Sequence, residues 1–166
     1  PERAIKLTNF RKLAGKGFTV FLGLSKSAEE LGITDHNYFV YDSSDNVAQY
    51  EAMKTLENTG AQATVCLNNA YPDCSPEGTC IVYMTTLFTD DAWSAVSKED
   101  YFKTKNKVAA RMIKRFEKAT GTNIHDHIEE IAIATPETYA RYCGHPQGTI
   151  YGYESQYYDG LMNRIQ

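Results

Sequence analysis

The sequence predicts an α+β domain in which a mixed β-sheet is covered by helices. Several short runs are rich in β-branched and aromatic residues, which favours strands. One long segment has apolar residues at helical spacing, and polar or glycine-containing turns separate the segments. With 166 residues, 42% of them hydrophobic, the chain has the length and composition of one domain with its own core. We therefore treat residues 1–166 as a single domain.

The predicted strands come from runs that end at polar or glycine-containing breaks. Residues 63–68 and 80–88 are separated by two loop sequences, Tyr-Pro-Asp and Ser-Pro-Glu-Gly, which predict a wide hairpin with a long loop. The other runs predict strands at residues 17–24, 37–41, 128–134 and 149–153.

The clearest predicted helix begins at the capping pattern of residues 97–100 and ends at Ala119, before Thr120 and Gly121. Its apolar stripe comprises Tyr101, Val108, Ala109, Met112, Ile113 and Phe116. Its other face is basic, with Lys103, Lys107, Arg111, Lys114, Arg115 and Lys118. We interpret this face as solvated, with contact to a lipid surface as the alternative.

Shorter helices are predicted from caps and stop signals. A polar turn at residues 42–45 precedes a helix over 47–57, and Ser27 with Glu30 has the spacing of a capping box. Thr135 and Pro136 predict the N-terminus of a helix over residues 137–142. A terminal helical turn is predicted over residues 158–165.

The charge of the chain argues against nucleic-acid binding, and its hydropathy argues against a transmembrane segment. The formal net charge is −4 and the pI is about 5.6, so the chain lacks the basic surface that nucleic-acid binding requires. The sequence contains no apolar run of about 18 residues and no signal-peptide pattern at its N-terminus. We expect a cytoplasmic setting, and peripheral membrane contact stays open.

The cysteine and histidine spacings do not match a known site. Cys66, Cys74, Cys80 and Cys143 form no Cys-x-x-Cys pair, so we favour buried free thiols; a disulfide between Cys74 and Cys80 stays open for an oxidising compartment. The histidines at 125 and 127, with Glu129, have no third strong ligand nearby, and we predict no metal site. His36 and His145 have no recognisable orienting partner, so we assign no catalytic residue.

Two blocks of sequence carry a family resemblance. Residues 134–144 read Ala-Thr-Pro-Glu-Thr-Tyr-Ala-Arg-Tyr-Cys-Gly, and residues 148–152 read Gly-Thr-Ile-Tyr-Gly. Residues 18–24 and 31–37 form an earlier block in the right order. The chain resembles the phytoene desaturase, carotenoid isomerase and retinol saturase group of FAD-dependent oxidoreductases, within the amine-oxidase-like superfamily.

The resemblance implies a fold, a cofactor and a substrate class. The chain would be the substrate-side domain excised from a longer flavoenzyme, because a dinucleotide-binding Gly-x-Gly-x-x-Gly turn is absent from this sequence. The complete protein would use FAD to transfer a hydride at a carbon–carbon bond of an apolar, carotenoid-like or isoprenoid-like substrate. Desaturation, saturation and isomerisation are all compatible with these residues. The isolated chain would hold no flavin and have no activity.

The resemblance also assigns candidate residues by motif position. Gly148, Tyr151 and Gly152 would lie on the flavin side. The substrate would contact Phe21, Phe39, Tyr139 and Tyr142, because aromatic side chains suit a long apolar cavity. The expected partners are an apolar small molecule or lipid and the rest of the flavoenzyme chain.

Two other functions explain the missing nucleotide motif. The first is a stand-alone module that binds apolar ligands without chemistry. The second is a protein-interaction domain that uses an exposed apolar face, which would associate with itself at modest concentration.

Overall fold

The computed structural model describes residues 2–57, 60–89 and 92–154. Its centre is a five-stranded sheet in the order β2-β3-β4-β1-β5. The strands are β1 (Lys16–Leu24), β2 (Asn37–Tyr41), β3 (Ala61–Cys66), β4 (Cys80–Phe88) and β5 (Ile128–Ala134). All neighbouring strands in this sheet are antiparallel.

The helices among the described residues are α1 (Glu2–Phe10), α2 (Asn46–Ala52), α3 (Tyr101–Thr120) and α4 (Pro136–Cys143). The α+β class is therefore confirmed. The sheet is antiparallel rather than mixed, because β3 and β4 form the predicted hairpin and β5 returns along the other edge of β1.

One face of the sheet packs on α3 and forms the core. Alternate residues of β1, from Phe18 to Leu24, are fully buried, as are Val82 and Met84 of β4. The apolar stripe of α3 meets them with Val108, Met112 and Phe116, all buried as predicted. The ring of Tyr38 on β2 stacks edge-on to Phe116, with ring centroids 5.2 Å apart.

The basic face of α3 differs from the prediction. Arg111 donates to the backbone carbonyls of Leu56 and Glu57, and Arg115 pairs with Asp42 at the end of β2. These arginines hold the segment after α2 and the edge of β2 against α3, so part of the basic face binds protein rather than solvent. Lys114 and Lys118 are exposed.

Several predicted boundaries shift. The second helix ends at Ala52 and continues as turns. Ser27 and Glu30 bond as in a capping box, but they close a turn and not a helix. The predicted strand at 149–153 is wrong: within the described residues this segment makes only isolated bridges, Lys16↔Thr149 and Leu13↔Tyr153. Positive φ at Gly148 and Gly152 interrupts it. The predicted terminal helix lies outside the described residues.

Candidate functional site

Within residues 2–57, 60–89 and 92–154, the second face of the sheet is largely apolar, and α4 is the helix that contacts it, at β1 and β5. Successive residues of a strand alternate between faces, so the side chains between the core residues point to this open face. One row across all five strands comprises Phe39, Ala63, Thr85, Thr19 and Ala134, and the next comprises Asn37, Val65, Tyr83, Phe21 and Ala132. We call this surface the open sheet face.

Small side chains between aromatic ones form a groove on this face. Ala61, Ala63 and Thr85 provide the floor, and the rings of Phe39 and Tyr41 stand beside it, 68% and 57% exposed. The groove has a volume of about 210 Å³. Its other lining residues are Met53, Gln62, Thr86, Leu87 and Tyr151. We call it the sheet groove; an apolar concave surface with few polar groups is the usual form of a small-molecule site.

The segment that carries the family resemblance packs on the open sheet face at its β1 side. The Tyr139 hydroxyl lies 2.6 Å from Thr19 Oγ1, which in turn lies 2.9 Å from Thr85 Oγ1. This chain of hydroxyl groups joins α4, β1 and β4, and its last member, Thr85, is part of the groove floor. The position of Tyr139 is therefore fixed relative to the sheet groove.

Residues of the same segment build the N-terminus of α4. The Thr135 side chain accepts from the Thr138 amide, and the Thr138 hydroxyl accepts from the Thr135 amide at 3.1 Å. Pro136 occupies the first turn, where its missing N–H has no cost. Thr135 is fully buried and also bonds the Tyr101 hydroxyl at 2.8 Å, which ties α4 to α3. The predicted N-cap is confirmed.

Two glycines allow close packing of this segment, one against β1 and one within the segment itself. A methyl group at Gly17 would lie 2.4 Å from Ile150 Cδ1, and one at Gly148 would lie 2.1 Å from the Pro136 carbonyl oxygen. Gly148 also has φ of +77°, which other residues rarely adopt. Contacts within the chain therefore account for the glycine at both positions.

Gly152 has a different environment from Gly148, although its φ is also +77°. Among the described residues, a methyl group at Gly152 would have no neighbour within 4 Å. The adjacent Tyr151 ring is 72% exposed and lines the sheet groove. Of the three residues predicted to lie on the flavin side, Tyr151 and Gly152 therefore have an accessible surface, and Gly148 is buried.

A second hollow adjoins the sheet groove. It has a volume of about 460 Å³ and shares Met53, Leu87 and Tyr151 with the groove. Its remaining lining residues are Lys12, Leu13, Ala14, Gly15, Tyr50, Thr89, Tyr153 and Glu154. At its rim the Tyr50 hydroxyl donates to Glu154 and Lys12 pairs with the same carboxylate. We call it the side hollow.

Three of the four residues predicted to contact substrate lie on or against the open sheet face, but they are spread across it. Phe39 is on β2 and lines the sheet groove, whereas Phe21 is on β1, three strands away, and Tyr139 contacts β1 through Thr19. Phe21 contacts Tyr83, with ring centroids 6.1 Å apart. Tyr142 is elsewhere: its side chain is 75% exposed and stacks with the Arg141 guanidinium. The roles of these residues and of the flavin-side residues stay predictions.

Sequence reasoning missed the groove floor and the side hollow. Ala61, Ala63 and Thr85 have no chemical signature. The strand register places Ala63 and Thr85 between Phe39 and Thr19, and it pairs Ala61 with Tyr41. The alternation of residues in β3 and β4 contained the signal, because it predicts which side chains share a face. Lys12 and Glu154 come together through the pairing of the segments around residues 12–14 and 152–154, and Tyr50 of α2 donates to Glu154. No local pattern predicts these contacts.

The thiols lie away from the groove. All four cysteines are free; Cys66 and Cys80 are buried as expected, but Cys74 and Cys143 are exposed, contrary to the expectation. Cys66 and Cys80 share a hydrogen bond on the core face, which lowers the pKa of Cys66 to about 7 and raises that of Cys80.

The ring nitrogens of two histidines bond backbone carbonyls: His36 bonds the Cys66 carbonyl, and His145 bonds the Thr149 carbonyl. In the part of the chain that the structure describes, no three potential ligands cluster around a metal position.

None of the helices within residues 2–57, 60–89 and 92–154 is long and apolar enough to cross a membrane.

Comparison with known proteins gives distant relatives. No protein-family model matches the chain. The chain is 35% identical over 75 residues to a chloroplastic prolycopene isomerase of Daucus carota, covering 45% of this chain and 12% of that protein. It is 24% identical over 152 residues to an all-trans-retinol 13,14-reductase of Danio rerio, covering 82% of this chain and 25% of that protein. A prolycopene isomerase of an Oncidium hybrid cultivar is 31% identical over 78 residues, covering 47% of this chain and 13% of that protein.

The chain thus spans a quarter or less of the length of these relatives. The chain is thus distantly similar to proteins named prolycopene isomerase and all-trans-retinol 13,14-reductase.

Proposed function

We propose that this chain is the substrate-side domain of a longer FAD-dependent oxidoreductase, and that its sheet groove binds part of an elongated, carotenoid-like or isoprenoid-like substrate. The relatives are named for prolycopene and retinol, which are both isoprenoid polyenes. The observation that carries the proposal is the open sheet face, where small side chains form a floor between exposed aromatic rings. An apolar polyene would bury this surface and the rings with it.

The cofactor would be held mainly outside this chain. The residues here do not fit the pyrophosphate of a dinucleotide, because the sequence has no Gly-x-Gly-x-x-Gly turn and the described sheet has no parallel β-α-β unit. Gly152 and Tyr151 leave an open surface beside the sheet groove at which the edge of a flavin would fit. Gly148 does not fit that role, since Pro136 occupies the space over its Cα.

The task of this chain in the reaction is binding and positioning. The flavin, when bound, supplies hydride chemistry at a carbon–carbon bond. Phe39 and Tyr41 would hold the chain of the substrate along one side of the groove. Tyr139 is bonded to Thr19, which in turn bonds Thr85 of the groove floor. The apolar floor excludes water from the bound segment. The described residues near the groove include no pair of titrating groups arranged for acid–base work, so we assign no proton transfer to them.

Turnover by the full-length protein tests the proposal. The protein is supplied with FAD and incubated with prolycopene or all-trans-retinol, with and without a reductant, and products are separated by chromatography. We expect conversion of a polyene, and a loss of more than about tenfold in kcat/KM for Phe39→Asp, because a carboxylate in an apolar groove is poorly solvated. Phe102→Asp is the matched control, since Phe102 is 67% exposed on α3 at the other face of the sheet.

The same experiment distinguishes the proposed enzyme from the alternative function, a module that binds apolar ligands without chemistry. Stoichiometric binding of a polyene without bound flavin or conversion would favour a non-catalytic module that carries apolar ligands. Equal activity of the two aspartate variants would show that the sheet groove is not the substrate site.

A further inference from the structure

The sheet groove is too small to bury a whole polyene ligand. Its volume is about 210 Å³, whereas pockets that bury a small-molecule ligand usually measure about 300–1,000 Å³. The side hollow has a volume of about 460 Å³ and adjoins the groove, because Met53, Leu87 and Tyr151 line both spaces. A ligand whose chain binds in the groove therefore has room for its remaining part in the hollow.

The side chain of Leu87 lies at the boundary between the two spaces. Leu87 is on β4, two residues after Thr85 of the groove floor, so both side chains point to the open sheet face. Leu87 also faces Gly15 of the hollow: a methyl group at Gly15 would lie 3.2 Å from Leu87 Cδ1. At this point the boundary is therefore a side chain with more than one allowed rotamer, and glycine at position 15 leaves space beside it.

The groove is narrow, which limits what can lie in it. Its floor follows Ala61 and Ala63 of β3, between Phe39 and Tyr41 of β2 and Leu87 of β4. Neighbouring strands are about 4.8 Å apart, so the backbones of the two flanking strands are about 10 Å apart, and their side chains occupy part of that width. A single isoprenoid chain fits such a groove, whereas a substituted ring needs more width.

The hollow is larger, and the charged groups among its lining residues are already paired. Lys12 Nζ lies 3.7 Å from the Glu154 carboxylate, which also accepts from the Tyr50 hydroxyl at 3.1 Å. An ionised ligand group would have to compete with these partners and lose its own hydration. The rings of Tyr50 and Tyr153 add apolar surface. The hollow therefore suits a bulky, uncharged group.

We propose that the side hollow is the subsite for the bulky, uncharged end group of an elongated apolar ligand, and that Gly15 and Leu87 determine whether that group fits. The inference rests on the proposed function, because the chain of the ligand occupies the sheet groove. Gly15 and Leu87 act as specificity residues: they distinguish a ligand that ends in a substituted ring from one that is acyclic throughout. No chemical step is assigned to them.

Two isoprenoid alcohols that differ in their end groups test this subsite. All-trans-retinol ends in a substituted ring. Farnesol is acyclic and shorter, so its chain can lie in the groove without the hollow. Each alcohol is equilibrated with the full-length protein by dialysis, and the bound amount is measured by chromatography. We expect both probes to bind the wild type.

Three alanine-to-phenylalanine variants locate each probe. Ala14 lines the hollow and not the groove, so Ala14→Phe should weaken retinol binding at least about tenfold and change farnesol binding by no more than about twofold. Ala63→Phe, in the groove floor, should weaken the binding of both probes. Ala110→Phe, on the exposed side of α3, is the matched control and should bind both probes as the wild type does.

A smaller substitution at the boundary gives an independent check that does not depend on the folding of Ala14→Phe. The methyl group of Gly15→Ala would crowd Leu87 and narrow the space between the groove and the hollow. We expect it to weaken retinol binding by about 2- to 10-fold and to leave farnesol binding unchanged. Urea unfolding followed by circular dichroism shows whether each variant is folded.

Two results would overturn the subsite alone. Unchanged retinol binding in Ala14→Phe and Gly15→Ala would show that the end group lies elsewhere, and equal losses for both probes would show that the hollow does not select the end group. The proposed function survives either result if Ala63→Phe weakens the binding of both probes. If neither probe binds the wild type, or if Ala63→Phe binds both as the wild type does, the subsite and the ligand site in the sheet groove both fall.

Discussion

Gly148 and Gly152 have the same positive φ in very different surroundings. Both have φ of +77°, but Gly148 is packed against Pro136 and Gly152 faces open space. The sequence motif contains both glycines and does not distinguish them. In the structure, close packing requires glycine at 148, whereas position 152 is at the surface. This difference decides which of them can be substituted without disturbing the fold.

Substituting each glycine with alanine measures the difference. Gly152→Ala should lower the free energy of unfolding by about 1–2 kcal/mol, the cost of a side chain at positive φ. Gly148→Ala should cost at least about 2 kcal/mol more, because its methyl group would displace the backbone of Pro136. Urea unfolding monitored by circular dichroism gives both values. Equal losses would contradict the packing at the start of α4.

Tyr139 illustrates a residue whose type was predictable and whose role was not. The motif predicts an aromatic residue that contacts substrate, but only the fold shows that its hydroxyl bonds Thr19. Tyr139→Phe keeps the ring and removes that bond, so we expect a loss of about 1 kcal/mol in unfolding free energy. Tyr142→Phe, at a side chain that is 75% exposed, is the control and should change stability little. A larger effect at Tyr142 would mean that α4 is oriented differently.

At the scale of elements, periodicity in the sequence located most of the sheet and the long helix. The alternation in β1 and β4 and the apolar stripe of α3 are strong because one face of each is fully buried. The predictions failed where tertiary contacts decide the structure. The segment after Gly148 has β-favouring residues, but the positive φ of Gly152 interrupts it. Among the described residues it makes isolated antiparallel bridges with the segment around residues 13–16. The antiparallel order likewise depends on contacts between distant segments.

The packing of α3 gives a prediction for the core. Phe116 is fully buried and contacts Tyr38, whereas Phe102 on the same helix is 67% exposed. Phe116→Ala should therefore destabilise the protein by about 3–5 kcal/mol. Phe102→Ala should change its stability by no more than about 0.5 kcal/mol. Thermal or urea unfolding checks both values. Similar losses at the two positions would contradict the orientation of α3 on the sheet.

At the scale of the whole molecule, the candidate site is a surface that the sheet creates. Phe21, Phe39 and Tyr139 are far apart in sequence, and the strand order places them on one face. The family resemblance indicated aromatic contacts in general. It could not identify the small residues of the groove floor, because an alanine in a strand has the same local pattern whether it lines a groove or packs in a core.

The flavin content of residues 1–166 tests whether the cofactor is held by this chain or by the rest of the full-length protein. Residues 1–166, purified alone, should retain no flavin, because the chain lacks a phosphate-binding turn. The full-length protein should bind FAD in a stoichiometric amount. The visible absorbance of oxidised flavin compares the two samples directly. A stoichiometric flavin spectrum from residues 1–166 would contradict the assignment of this chain to the substrate side.

The most direct test of the account is to fill the sheet groove and measure ligand binding. Ala63 lies in the floor between Phe39 and Thr85, and Ala63→Phe places a ring in the space proposed for the substrate. Ala110→Phe is the matched control on the exposed side of α3. In titrations of the full-length protein with all-trans-retinol, we expect Ala63→Phe to weaken binding at least about tenfold, equivalent to about 1.4 kcal/mol, and Ala110→Phe to bind as the wild type. Unchanged binding by Ala63→Phe would show that the polyene binds elsewhere.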